Sequence, residues 1–333
     1  MNRSSRCALV VLGLWITCSA IAGTTNPYVG RWALTLPNGA AGWLGVTEEA
    51  GKLAGSILWG SGSVVPVNDV KLNGDKLIIT RIQESRRRDD KGQPAKSIET
   101  ITATLDGDTL KLTTVTRRAD GSETAPGNLT GKRIPALSAR PELAKIKYGK
   151  PIVLLNGRNL DGWKLVESRA TSGWSIENGI LVNKPVKQEG GPRVSYGNLR
   201  TVAEFEDFNL KLEVNVAKGD NSGVYLRGIY EVQVSDSYGG KLDSHNMGGI
   251  YSRISPTVNA EKPAGQWQTL DMTLVERHVT IILNGKTIID NQPLLGCTGG
   301  ALWSDELKPG PIYLQGDHTG ISYRNIVLTP IVK

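Results

Sequence analysis

Glu231, Gln233 and Asp236 stand close together in the run Asn221-Ser222-Gly223-Val224-Tyr225-Leu226-Arg227-Gly228-Ile229-Tyr230-Glu231-Val232-Gln233-Val234-Ser235-Asp236-Ser237-Tyr238-Gly239. Side chains of a strand alternate between two faces. Tyr225, Arg227, Glu231 and Gln233 therefore share one face, and Val224, Leu226, Tyr230, Val232 and Val234 form an apolar row on the other. A phenol, a guanidinium, a carboxylate and an amide together make a polar floor that can hydrogen-bond hydroxyl groups and exchange a proton. Strict alternation puts Asp236 on the apolar face, where an unpaired carboxylate is costly; a bulge near Ser235 would return it to the polar side. Gly228 removes a side chain in the middle of the run, where a bulge or a close ligand approach is usual. Other acid–base groups are His245 near Asp243, His318 beside Asp317, and Lys262 before Pro263. Neither histidine has tight metal-ligand spacing such as H-x-x-x-H. A solvated strand, an Arg227–Glu231 ion pair and a solvated loop lysine would give the same letters. His278 reads as a hairpin-tip residue.

The elements that must carry these groups are strands. The 333 residues include 39 Gly, are 39% hydrophobic and 21% charged, and suit one or two loop-rich β domains better than a disordered chain. Only two Phe occur against eight Trp and nine Tyr, rings with a polar handle that can stack on sugars. Alternation and turn residues predict strands over 30–36, 41–48, 53–59, 65–71, 77–84, 97–105, 109–117 and 127–133. Asn73-Gly74 and Asp106-Gly107 supply residues that accept positive φ in tight hairpins. Eight such strands predict a small antiparallel barrel or sandwich over 23–133, with a long exposed loop over 81–91. Gly30-Arg31-Trp32 resembles the opening of lipocalin-like barrels. Residues 134–149 carry Pro135 and Pro141 without alternation and read as a linker. Strands return over 150–333: 208–216 and 269–275 alternate, and 279–283 and 286–290 flank an Asn284-Gly285 turn. Two stacked antiparallel sheets are expected there.

Residues 1–22 read as an export signal: Arg3 and Arg6, an apolar stretch from Ala8 to Ile16, and Ala20-Ile21-Ala22 before Gly23. The stretch is too short to span a bilayer, and no transmembrane segment is expected after cleavage. The predicted location is periplasmic or extracellular. The mature chain would keep Cys297 alone, so no internal disulfide is expected. The formal charge is +7, but Arg86-Arg87-Arg88 is followed at once by Asp89-Asp90. Nucleic-acid binding needs a broader basic patch with stacking aromatics and is not expected.

The run at 221–239 resembles the signature of the 3-keto-disaccharide hydrolase domain family, formerly a domain of unknown function. Further motifs agree in order over about residues 150–331. Leu155-Asn156-Gly157-Arg158-Asn159-Leu160-Asp161-Gly162-Trp163 is similar to the family's opening, with Leu155 in place of Phe. Gly173-Trp174-Ser175-Ile176-Glu177-Asn178-Gly179-Ile180-Leu181 is similar to its next strand pair. Asn259-Ala260-Glu261-Lys262-Pro263-Ala264-Gly265-Gln266-Trp267 follows, with Gln266 where Glu is common. Ile312-Tyr313-Leu314-Gln315-Gly316-Asp317-His318 and Tyr323-Arg324-Asn325-Ile326 resemble the last strands. The resemblance implies a concanavalin A-like, glucanase-type β-sandwich and cleavage of 3-keto-glycosides. A C3 ketone acidifies the C2 proton; its removal allows the C1 substituent to leave, and water then adds.

That chemistry needs a base at C2, a donor at the ketone oxygen and an acid at the leaving oxygen. Glu231 or His318 are candidates for the base, Arg227 or Lys262 for the donor, and Asp236 or His245 for the acid. Asn221, Tyr225, Gln233, Trp267, Gln315 and Asp317 are further candidates for substrate contact, alongside Arg227 and His245. A divalent ion on the enolate oxygens fits the chemistry, but no ligand set is marked. Concanavalin-like glucanases carry Glu-x-Asp-x-x-Glu, and this chain has Glu231-x-Gln233-x-x-Asp236. An ordinary retaining glycosidase needs two carboxyls about 5–5.5 Å apart, so Gln233 weakens that alternative. A glycan-binding protein on the same sandwich would need no poised acid or base.

Overall fold

The computed structural model describes residues 26–88, 92, 94–186 and 194–332. The expected export signal and the Asp89-Asp90 hairpin tip lie outside the described residues. No helix among the described residues is long and apolar enough to cross a membrane.

The N-terminal unit holds β1 (Gly30–Thr35), β2 (Ala41–Glu49), β3 (Lys52–Trp59), β4 (Val65–Pro66), β5 (Asp69–Asn73), β6 (Lys76–Arg88), β7 (Pro94–Asp106), β8 (Thr109–Arg117) and β9 (Gly127–Arg133). Their order is β4-β3-β2-β1-β9-β8-β7-β6-β5, antiparallel throughout. The segment expected as one strand over 65–71 is bent at Val67-Asn68. Its first half pairs with β3 and its second with β6. The Val67 N–H donates to the Gly55 carbonyl at 3.0 Å, and the Asn68 N–H to Thr80 at 2.9 Å. One bent segment thus joins both ends of the sheet and closes the barrel. Of the stretch expected as an exposed loop over 81–91, residues 81–88 instead belong to β6, with Glu84 opposite Lys96 and Arg88 opposite Pro94; residues 89–91 lie outside the described residues. Backbone pairing does not depend on side-chain charge. Trp32, Leu34, Leu44, Ile57, Leu77 and Ile101 fill the interior.

The C-terminal unit is a sandwich. One sheet runs β13 (Trp174–Glu177), β14 (Ile180–Asn183), β23 (Ile321–Val332), β16 (Phe208–Asn215), β19 (Trp267–Val275), β20 (His278–Leu283) and β21 (Lys286–Pro293); β10 (Lys147–Tyr148) and β11 (Ile152–Val153) also pair with β23. The other runs β12 (Trp163–Leu165), β15 (Leu199–Thr201), β22 (Tyr313–Leu314), β17 (Asn221–Leu226) and β18 (Tyr230–Ser235). Phe208, Leu210 and Met272 of the first sheet meet Val224, Val232 and Leu314 of the second in one buried core. Asn284 and Gly285 take positive φ between β20 and β21, as the hairpin requires.

Alternation turns Ala41, Trp43 and Leu58 out of the barrel, yet all three are buried because they enter the sandwich core. The Arg253 guanidinium lies over the Trp43 ring at 4.3 Å and donates to the Cys297 carbonyl. Arg277 donates to the carbonyls of Pro135 and Ala136, fixing the start of the connecting segment, and meets Glu306 at 3.3 Å. Burial pushes the Glu306 carboxyl above its usual range, while Arg31, Arg277 and Arg253 oppose that shift. Cys297 is buried, and burial pushes its thiol up to about 12.

Candidate active site

The five-stranded sheet presents one continuous row of side chains. Backbone register places Lys164 opposite Arg200, Arg200 opposite Tyr313, Tyr313 opposite Tyr225, and Tyr225 opposite Glu231. Beyond Glu231 the row continues into the loop after β18, where the Tyr251 N–H donates to the Glu231 carbonyl at 3.0 Å. Gln233 sits opposite Gly223, whose carbonyl accepts the Gln315 N–H at 2.9 Å. The alternation read from sequence holds here because β17 and β18 pair without a register shift.

Glu231 lies at the centre of this floor and is 4% exposed. Its carboxyl is 2.9 Å from the Tyr225 hydroxyl, which also lies 2.8 Å from the Gly299 carbonyl. Burial pushes the Glu231 carboxyl up to about 8; the Tyr225 hydroxyl and the His318 charge pull it back, and Asp317 adds to the rise. One hydroxyl hydrogen cannot serve two acceptors. When Glu231 is protonated it donates to Tyr225, and Tyr225 donates to Gly299. When Glu231 is ionised, Tyr225 must choose between them.

Two glycines make room for this arrangement. A Cβ at Gly223 would collide with the Glu231 carboxylate, and one at Gly300 would fall 2.7 Å from the Tyr225 oxygen. Tyr225 and Tyr313 stack at 4.2 Å, 14° from parallel. The segment carrying Gly299 hangs on β18: the Thr298 N–H donates to Ile229, and the Thr298 hydroxyl accepts from the Glu231 N–H. Burial pushes the Tyr225 hydroxyl far above its usual range, with the Glu231 charge adding to it, so Tyr225 stays protonated.

Several expected residues lie on or beside β17 and β18. The Gln233 amide donates to Asn221 at 3.0 Å, while its own oxygen and that of Gln315 are buried without a hydrogen-bond partner. His318 and Asp317 sit at the surface 2.7 Å apart, and both charges reach Glu231. Thr319 bonds both backbone groups of Asn221 and ties their loop to β17. His245 packs edge-on against Tyr251 at 4.7 Å, with its Nδ1 2.5 Å from Asp243.

Four expected residues are placed elsewhere. Arg227 is 2% exposed and donates to the carbonyls of Glu306 and Lys308, not to Glu231; with φ near 55° it belongs to the turn, where strand alternation no longer applies. Asp236 follows the end of β18, with no bulge before it, and accepts the Gly219 N–H at 3.0 Å. The carboxylate–amide–carboxylate array is therefore not formed. Trp267 stands on the outer face of the opposite sheet, with the Arg324 guanidinium 4.0 Å above its ring. Lys262 donates to the Trp267 carbonyl at 3.0 Å and stays with it. Tyr313, Tyr251 and Ser63 complete the neighbourhood. Tyr313 could have been found, since it shares its strand parity with Gln315; Tyr251 and Ser63 carry no local signal.

Among the described residues, no three His, Cys, Asp or Glu side chains cluster in a way that could hold a metal ion. Cavities of about 410 and about 500 Å³ lie between barrel and sandwich, the first beside Trp303 and Glu306, the second beside Trp43 and Arg253. Neither lies over Glu231. A buried carboxyl held near neutrality marks a site for proton transfer more directly than volume does.

The model of the 3-keto-alpha-glucoside-1,2-lyase-like domain matches residues 150–329. A 3-keto-disaccharide hydrolase of Bacteroides thetaiotaomicron is 24% identical over 169 residues, which cover 42% of this chain and 57% of that protein. The chain thus matches little more than half the length of that relative. A crystal structure of a candidate glycosyl hydrolase from Parabacteroides distasonis is 28% identical, with a TM-score of 0.44 over 57% of this chain and 93% of that one. A family GH16 endo-beta-1,3(4)-glucanase is 12% identical, with a TM-score of 0.36 over 58% and 94% of the two chains.

Proposed function

The chain belongs to the 3-keto-alpha-glucoside-1,2-lyase-like domain family, and from that premise we propose that it is an exported enzyme that cleaves 3-keto-glycosides. The observation that carries this reading is the buried Glu231 carboxyl, pushed up to about 8 and bonded to Tyr225. Desolvation makes the ionised form a stronger base than an ordinary carboxylate, closer to what a C–H beside a ketone demands. Glu231 removes the C2 proton. The C2–H electron pair becomes the C1–C2 double bond, the C1–O bond breaks, and the aglycone oxygen takes a proton. Water then adds across the double bond, hydroxyl to C1 and hydrogen to C2, giving net hydrolysis.

The hydrogen-bond chain supports this role. On gaining the C2 proton, Glu231 donates to Tyr225, which is released to donate to Gly299. His318, at the mouth with Asp317 beside it, carries an exchangeable proton for the leaving oxygen. Gln233, Asn221 and Gln315 supply amide groups for sugar hydroxyls, and the buried oxygens of Gln233 and Gln315 are acceptors still to be met. A retaining glycosidase needs a second carboxyl beside Glu231, and Asp236 is engaged elsewhere.

The test is incubation of the purified protein with a set of glucosides and with their 3-keto forms, following aglycone release. Release from the 3-keto forms alone is expected. Binding without cleavage of either would favour a glycan-binding protein. Export is tested by sequencing the N-terminus of secreted protein, which should begin at Gly23.

A further inference from the structure

The barrel loop of residues 60–64 meets the sandwich beside His245 and Gly299. The Ser63 oxygen lies 2.9 Å from Nε2 of His245, whose Nδ1 is held by Asp243. With the Nδ1–H donated to that carboxylate, Nε2 is placed to accept the Ser63 O–H. Next along the chain, the Val64 N–H donates to the Ser252 hydroxyl at 2.8 Å, beside Tyr251. On the other side of the loop, the Gly300 N–H donates to the Gly60 carbonyl at 3.3 Å, and a Cβ on Gly299 would run into the Gly62 backbone. Gly299 is the residue whose carbonyl receives Tyr225. The same five residues thus brace His245 and, through Gly299 and Tyr225, the hydrogen bond to Glu231.

We propose that this barrel loop is a wall of the active site and that Ser63 is a positioning residue for His245, so that the sandwich site is incomplete without the barrel. The role in turnover rests on the 3-keto-glycoside reading above; the positioning of the ring does not. With both ring nitrogens engaged by the protein, His245 is fixed in one orientation against Tyr251.

The test uses Ser63→Ala and Ser63→Thr in the full-length protein. The chain has three histidines, so a His245→Gln variant assigns that ring in an imidazole ¹⁵N spectrum. In the wild type at neutral pH, Nε2 should resonate as a hydrogen-bonded acceptor. In Ser63→Ala it should move to the position of an unbonded nitrogen, and in Ser63→Thr it should return. On a 3-keto-glycoside, Ser63→Ala should lower kcat/KM by roughly 3- to 10-fold, the worth of one hydrogen bond, and Ser63→Thr should restore it. An unchanged Nε2 signal in Ser63→Ala overturns the proposal, as does an unchanged kcat/KM in an active enzyme, even if the melting temperature moves. If the wild type cleaves no 3-keto-glycoside, the functional reading fails, and the spectrum alone decides whether Ser63 positions His245.

Discussion

Glu231 holds its place because two neighbours accommodate it, Gly223 by having no Cβ and Tyr225 by offering a hydroxyl, in a spot where the carboxyl is buried. Its burial has a linkage consequence with a definite sign. The folded carboxyl titrates near 8, against 4.5 for the free group. The native state therefore holds a proton that the unfolded chain releases between those values. The stabilisation is complete below about 4.5 and is lost as pH rises through about 8. Glu231→Gln removes the titration, so the wild type should lose melting temperature relative to this variant between pH 5 and pH 8; parallel curves would contradict a raised carboxyl. As a base, Glu231 must be ionised, so kcat/KM should rise with pH and level off above about 8. Tyr225→Phe deletes a bond that pulls the carboxyl down, so the midpoint of that rise should move further up. A midpoint that falls, or stays, would remove Tyr225 from the proton path.

Most of β17 and β18 was legible in the sequence because alternation is a property of an unbroken ladder. Glu231, Gln233, Asn221 and Tyr225 fall where the period of two puts them. Arg227 and Asp236 do not, since each lies just past a strand end, one in a left-handed turn and one against Gly219. Trp267 and Lys262 sit in a family-like stretch, but a motif does not say which sheet carries it, and β19 belongs to the opposite sheet. The bend at Val67-Asn68 was hidden for a similar reason: only the closed barrel requires one segment to pair both ways. Elements also set what a glycine can tolerate. Gly223→Ala would drive a methyl group into the Glu231 carboxylate. It should lower activity at least ~10-fold, the weak end of what a general acid–base group contributes, while circular dichroism keeps its β signature; full activity would mean that Glu231 has another rotamer available for the reaction.

Barrel and sandwich are held together by Trp43 in the sandwich core and by Glu306 among three arginines. Breaking one partner of a buried ion pair leaves the other uncompensated, at about 3–5 kcal/mol. Glu306→Ala should therefore cost about that much in denaturant unfolding, far more than an exposed pair such as Lys71–Asp69. No local pattern could announce this contact, or Ser63 beside His245, because the partners come from segments far apart in the chain, Ser63 and His245 being 182 residues apart. The proposed reaction is tested most directly by proton exchange at C2. A 3-keto-glucoside is incubated in D₂O with wild type and with Glu231→Gln, while deuterium at C2 of the sugar and free aglycone are followed by NMR. The wild type should give cleaved sugar carrying deuterium at C2, and Glu231→Gln should lose both exchange and release by ~10²–10⁴-fold. Cleavage by Glu231→Gln at nearly the wild-type rate, or cleavage by the wild type with hydrogen retained at C2, would contradict Glu231 as the base.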